Sequence, residues 1–229
     1  MKTSLKYVIS LFIAVAFTIT FTNCESPVDS DKDSATLDVS MLMDATEFSL
    51  QKTSTANSLL FVSGSVTIRE IVFDGDLDDS TSVSITHEQV STIDLITGNT
   101  TPALDVTIPA GTYSWVNLGI EIQDVDATPS VIAEGIYTDA NNTDIPLRFE
   151  FNSGEVFEAE APMHTFAPGT AAITQIEFSP SEWFATVTSA MLDEATQVDG
   201  VILVNESTNA DIFDIVADKL DDATQATFQ

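Results

Sequence analysis

The 229 residues predict a mainly β protein, an antiparallel β-sandwich with a C-terminal amphipathic helix. Three observations carry that expectation. Between Thr36 and Phe178, apolar residues recur with a period of two, the mark of half-buried strands. Turn residues (Gly, Pro, Asn and Asp) punctuate these runs at short intervals, giving about eight to ten strands, as in sandwiches rather than parallel α/β sheets. A helical period appears only near the end, with Ile212, Ile215, Val216 and Leu220 on one face.

Leu37, Val39, Met41 and Met43 define the first strand. The next has Val66 and Ile68, then Ile71 and Phe73, so its parity slips at Arg69-Glu70. One extra residue there, a β-bulge, restores the face. Residues 74–80 (DGDLDDS) have turn composition. Val83, Ile85 and His87 share one parity, as do Ile93 and Leu95, and Gly98-Asn99 closes that pair of strands. Leu104, Val106 and Ile108 lead through Pro109-Ala110-Gly111 into residues 113–122, and the expectation is a tight hairpin. A strand at 131–137 and a turn at 139–144 precede Ile145, Leu147, Phe149 and Phe151. Pro146 cannot donate to a ladder, so this strand lies at an edge or turns that position outward. Strands at 156–159 and 171–178 follow, then a helix-tolerant stretch from Pro180 and a short apolar strand, Val201–Val204. Asn209 or Asp211 is placed to cap the last helix.

The start of the chain has another character. Lys2 and Lys6 precede an uncharged apolar run at 8–21. As a helix it reaches about 21 Å at roughly 1.5 Å per residue, short of a hydrocarbon core of about 30 Å. It fits the h-region of a secretory signal. Phe21, Thr22, Asn23 and Cys24 stand where a lipoprotein signal has Leu, two small residues and Cys. Cys24 is the single cysteine. A free thiol, an inter-chain disulfide and a lipid attachment point are its three possible uses, and only lipidation accounts for its place at the end of the h-region. The expected organisation is a signal peptide at 1–23 and a flexible acidic tether at 24–35. The sandwich follows at 36–184, and a strand and helix at 185–229 pack on it.

The net charge of −29 repels nucleic acid and anionic lipid headgroups, leaving cations, basic partners or plain solubility. With no second cysteine, no intramolecular disulfide supports the fold.

Lipobox-like Cys24, the polar tether, residues 65–73 (SVTIREIVF), 93–95 (IDL) and 104–122 (LDVTIPAGTYSWVNLGIEI), and Ile176-Glu177-Phe178 before a Trp together resemble a known pattern. It is that of Bacteroidetes-type surface lipoproteins of unknown function with an immunoglobulin- or transthyretin-like sandwich. The likeness covers residues 65–183 and centres on the Pro-Ala-Gly-Thr-Tyr turn, which fimbrillin-like adhesins share. It implies an outer-membrane location, with exposure at the cell surface favoured, and supplies no catalytic residues.

For chemistry, the sequence has no H-E-x-x-H, G-x-S-x-G, Gly-rich phosphate loop or C-x-x-C. No enzyme is expected, although among 36 acids a hydrolase's carboxylate pair can always be found. Calcium is the sharpest cofactor hypothesis. Asp74, Asp76, Asp78 and Asp79 place hard oxygens close together, as do Asp139, Asn141, Asn142 and Asp144, whereas turn chemistry accounts for both clusters without metal. His87 and His164, with Met163 beside the latter, form a haem or transition-metal alternative. Tyr113, Trp115 and Tyr137 are either an aromatic platform or part of a packed face. Expected partners are the membrane, through the anchor, and a protein or glycan.

Overall fold

Two sheets, each mixing parallel and antiparallel pairs, share one apolar core in this computed structural model, which describes residues 33–50, 57–220 and 224–228. The expected leader, Cys24 and the tether through Lys32 lie outside the described residues. In chain order the strands are β1 (Ser34–Met43), β2 (Phe48–Ser49), β3 (Ser58–Leu77), β4 (Ser82–Asp94), β5 (Thr100–Thr101), β6 (Asp105–Pro109) and β7 (Gly111–Ile122). Then come β8 (Val131–Thr138), β9 (Asp144–Phe151), β10 (Val156–Ala161), β11 (His164–Phe166) and β12 (Ala171–Phe178). Short helices α1 (Pro180–Trp183) and α2 (Ser189–Asp193) precede β13 (Gln197–Val198), β14 (Val201–Val204), α3 (Ala210–Leu220) and β15 (Thr224–Phe228).

The smaller sheet has the order β15-β12-β1-β6. Strand β1 alternates as its sequence requires, burying Ala35, Leu37, Val39, Met41 and Met43. It begins at Ser34, inside the stretch expected as tether, because Ala35 and Thr36 already pair with Ile108 and Thr107 of β6. Its other edge takes β12 in parallel, Leu37 opposite Ala172 through Met43 opposite Phe178.

The larger sheet has β3 as its spine. Residues 68–76 are flanked by β4 and β7, while residues 58–66 pair with β8. The bulge expected at Arg69-Glu70 is present, and both neighbours shift register there. A second irregularity, between Phe61 and Ser63, was not foreseen. Around it the backbones of β3 and β8 approach so closely that a Cβ on Gly135 would lie 2.6 Å from the Leu60 carbonyl oxygen. A Cβ on Gly64 would lie 2.9 Å from that of Ile132, so both positions exclude a side chain.

Three expectations are corrected. Residues 74–77 are strand rather than turn, because the β3–β4 ladder runs to Asp76 opposite Ser82; the reversal is confined to 78–81, with Ser80 at φ 70. The segments before and after Pro109-Ala110-Gly111 do not form a hairpin. β6 bonds to β1 and β7 bonds to β3, so the chain crosses from one sheet to the other. The buried Tyr113 ties that corner by donating to the Pro109 carbonyl at 2.8 Å. Finally, the sheets are mixed rather than antiparallel, since β14 also joins β9 in parallel, Ile202 opposite Leu147. Pro146 is exposed, as its missing donor demands, but its strand is no edge from Leu147 onward.

The C-terminal segment completes both sheets, β14 in the larger and β15 in the smaller, a strand the sequence did not suggest. Helix α3 buries Ile212, Phe213, Val216 and Leu220. Phe213 stacks near Phe149 and Phe151 at centroid distances of 6.1 and 6.2 Å. Asn209 is not a side-chain cap. Its carbonyl accepts the first helical amides, of Ile212 and Phe213, while its side chain bonds both ways with Thr196 and donates to Leu203.

Phe149 also meets Trp183 and Phe184, joining β9, α1 and α3 in one aromatic cluster. Phe149→Ala is expected to cost about 3–5 kcal/mol in urea unfolding; a loss below about 1 kcal/mol would show that the cluster is not packed as described.

Candidate interaction face

The residues singled out for calcium sit at the ends of two hairpins. Asp74 and Asp76 point from β3, and Asp76 accepts from the Ser82 hydroxyl at 2.7 Å. Asp78 lies in the turn, where its amide donates to the Thr112 carbonyl, and Asp79 accepts the Thr81 amide at 2.9 Å. In the second hairpin Asp139 accepts the amides of Asn141 and Thr143 at 2.8 and 2.7 Å, and Asp144 accepts from Thr138 at 2.8 Å. Asn142 carries the left-handed conformation of that turn, φ 57. Hydrogen bonds from Thr81 and from Thr143 lower the pKa of Asp79 and Asp139 respectively. Of these side chains, Asp79 and Asp139 hold their turns by accepting turn amides. Among the described residues no three His, Cys, Asp or Glu side chains gather as a metal-ligand set.

The structure does not bring the histidines together. His87 is on β4 and His164 on β11, with β3 and β7 between them, roughly 14 Å across at the usual strand spacing. They also lie at different levels along the strands, His87 beside Ile71 and His164 beside Tyr113, which pairs with Leu77. His164 packs on Phe166 at 4.5 Å and on Phe228 at 5.5 Å. The three aromatic candidates also divide. Tyr113 and Tyr137 are core residues, and the Tyr137 hydroxyl accepts from Asn57 at 2.6 Å and donates to Asp193 at 2.7 Å. Trp115 is 38% exposed. The register of β7 against β3 shifts between Asp76 and Leu77, so Tyr113 turns inward and Trp115 outward despite their spacing of two.

Trp115 stands at one end of a solvent-facing surface made by β4, β3, β7 and β10. Along β7 this surface runs Trp115, Asn117, Gly119 and Glu121; beside them on β3 are Asp76, Asp74, Val72 and Glu70. Glu158 of β10 is opposite Gly119, and Val156 opposite Glu121. Pro162 and Met163 fall between the pairs Ala161–Val116 and His164–Tyr113, which sets them against Ser114 and Trp115. Met163 is 72% exposed. A shallow hollow of ≈ 220 Å³ lies over Gly119, walled by Val72, Val156, Asn117 and Glu158. The Asn117 amide donates to Glu158 at 3.3 Å, while its oxygen is buried without a donor.

Charge is concentrated here. Glu70 lies directly opposite Glu88 on one side and Glu121 on the other, a row of three carboxylates across neighbouring strands. Among the described residues, Arg69 relieves it in part through an ion pair to Glu121 at 3.3 Å. Like charges facing each other across strands repel and destabilise.

A second carboxylate pair lies on the smaller sheet, where Asp38 faces Asp105 in a shallow trough with Ser40 and Asn99. Burial, then a hydrogen bond and repulsion from Asp105, raise the Asp38 pKa. Neither carboxylate group was foreseen. Sequence period shows which residues face outward, but only strand pairing shows which acids face each other.

Glu70→Gln should raise stability by about 0.2–1 kcal/mol per relieved pair at low salt, with the gain shrinking at high salt; unfolding midpoints equal to wild type at low salt would count against the row. For Asp38 the folded state holds its proton more tightly than the unfolded chain. Its contribution therefore favours folding at acidic pH and is lost as pH rises from the unfolded value of 3.8 through the raised folded one. Asp38→Asn should remove that downward slope of stability with pH, and an unchanged slope would refute the pairing. Comparison with protein-family models, with curated proteins and with solved structures found no match.

Proposed function

We propose that this chain is a bacterial cell-envelope lipoprotein, anchored at the outer membrane through Cys24 and exposed at the surface. In this reading its immunoglobulin- or transthyretin-like domain acts as a non-enzymatic binding, adhesion or assembly module. The observation that carries the binding reading is the outward face of the larger sheet. Trp115 and Met163 are exposed beside a hollow walled by Val72 and Val156 and rimmed by four carboxylates, of which Glu121 is paired with Arg69. Apolar and aromatic groups left in water next to a concavity are the usual material of a recognition surface. Mainly β architecture and the apolar leader before Cys24 agree with an exported sandwich.

The Asp38–Asp105 pair is the one arrangement that favours a carboxylate-based hydrolase. The two residues face each other directly across the adjacent strands β1 and β6, with Cβ atoms about 4.5–5.5 Å apart, which leaves no gap for the substrate bond that glycosidase carboxylates flank. Binding remains the better reading.

Metabolic labelling with a palmitate analogue should mark the wild type, and Cys24→Ala should lose both the label and its place in the membrane fraction. A mutant that keeps both would place the anchor elsewhere. A photo-crosslinker at position 115 on intact cells should give discrete protein or glycan adducts that one at position 199 does not; equal adducts from both positions would remove the face from the account.

A further inference from the structure

We propose that the face around Gly119 docks a cationic polypeptide segment, with lysine or arginine side chains of a second protein lying across β3, β7 and β10. The inference deepens the binding reading above by giving the partner's chemistry. The face presents Glu70, Asp74, Asp76, Glu88, Glu121, Glu158 and Glu160, and Arg69 makes the ion pair to Glu121. An anionic partner would add to repulsion that the strands already bear, whereas a cation relieves it.

The hollow suits a long basic side chain in particular. Val72 and Val156 offer apolar walls to the methylene stem, and the charged head then lies among Glu70, Asp74, Glu121 and Glu158. The Asn117 side chain also lines the hollow, and its amide donates to Glu158, which orients that carboxylate at the rim. Gly119 keeps the floor open, since a Cβ there would meet Val156 Cγ1 only at 3.5 Å; no backbone crowding demands glycine. Farther along β7, Trp115 offers a ring face to a second cation, a contact that guanidinium groups favour.

The test uses the full chain in detergent micelles, titrated with oligolysine and oligoarginine and followed by tryptophan fluorescence. Trp183 is buried, so Trp115→Phe identifies the responding ring. Binding should weaken with salt and be absent for oligoglutamate. The combined variant Glu70→Gln, Glu121→Gln and Glu158→Gln should weaken it roughly tenfold, and Asp199→Asn, Asp214→Asn and Asp218→Asn, which remove equal charge elsewhere, less than about twofold. Gly119→Leu changes no charge and fills the hollow, so it should weaken binding independently while circular dichroism shows the fold retained. Equal losses from the two charge sets would show attraction to net charge alone and overturn the proposal. So would displacement of the peptide by micromolar Ca²⁺, which would make the face a metal site. If neither basic peptide binds while crosslinking from position 115 stays site-specific, the cationic partner is wrong and the binding module stands; if both fail, both fall.

Discussion

Strand β3 is the constraint on which the rest depends. It is paired along most of its length, and both of its bulges are matched by its neighbours rather than merely tolerated. At Arg69 the extra residue changes which parity faces the core, from Val66 and Ile68 to Ile71 and Phe73. Without it, half of this strand would turn its apolar residues to water. At Val62 the same correction operates, and Gly64 and Gly135 permit the close backbone approach it needs. The interaction face inherits this geometry. Glu70 meets Glu88 and Glu121 only because β4 and β7 shift register with the bulge.

The smaller sheet and the C-terminal segment close the structure in ways that local pairing cannot. β1 and β12 are parallel neighbours far apart in sequence, as are β9 and β14. Such pairs bear a large loop-closure cost before they return any hydrogen bonds. The compensation is burial: Phe157 of β10 meets Phe178 of β12 across the core at 5.2 Å, and Phe178 in turn meets Trp183 of α1 at 5.5 Å. Because β14 and β15 belong to different sheets, the last residues hold the two layers together rather than resting on a finished domain.

Electrostatics divide the molecule by purpose. The turn carboxylates Asp79, Asp94 and Asp139 are held by nearby amides and hydroxyls and are stable as anions. Arg148 bridges Glu134 and Glu150, each at 2.6 Å, and so settles the charge on β8 and β9. No comparable bridge spans Glu70 and Glu88 among the described residues, and the repulsion there is left to solvent, salt or a partner. The net charge of −29 is spread over the whole chain, and its local distribution is what makes one face distinctive.

The sequence by itself determined the β class, the inward residues of most strands, the bulge at Arg69, the turn at 139–144 and the face of the last helix. Each follows from a local period or from the backbone preferences of Gly, Asn and Asp. Phe213 was added to that face by the β9 aromatics it packs against. Tertiary structure alone decided that the Pro109 corner switches sheets, that β1–β12 and β9–β14 run parallel, and that residues 224–228 form a strand. It also decided that Tyr113 turns inward while Trp115 turns out. The carboxylates that face one another, Glu70 with Glu88 and Glu121, and Asp38 with Asp105, belong to this second group. A period of two says which side of a strand an acid occupies; its neighbour depends on which strand lies alongside and in what register, and that is settled by burying the whole core at once.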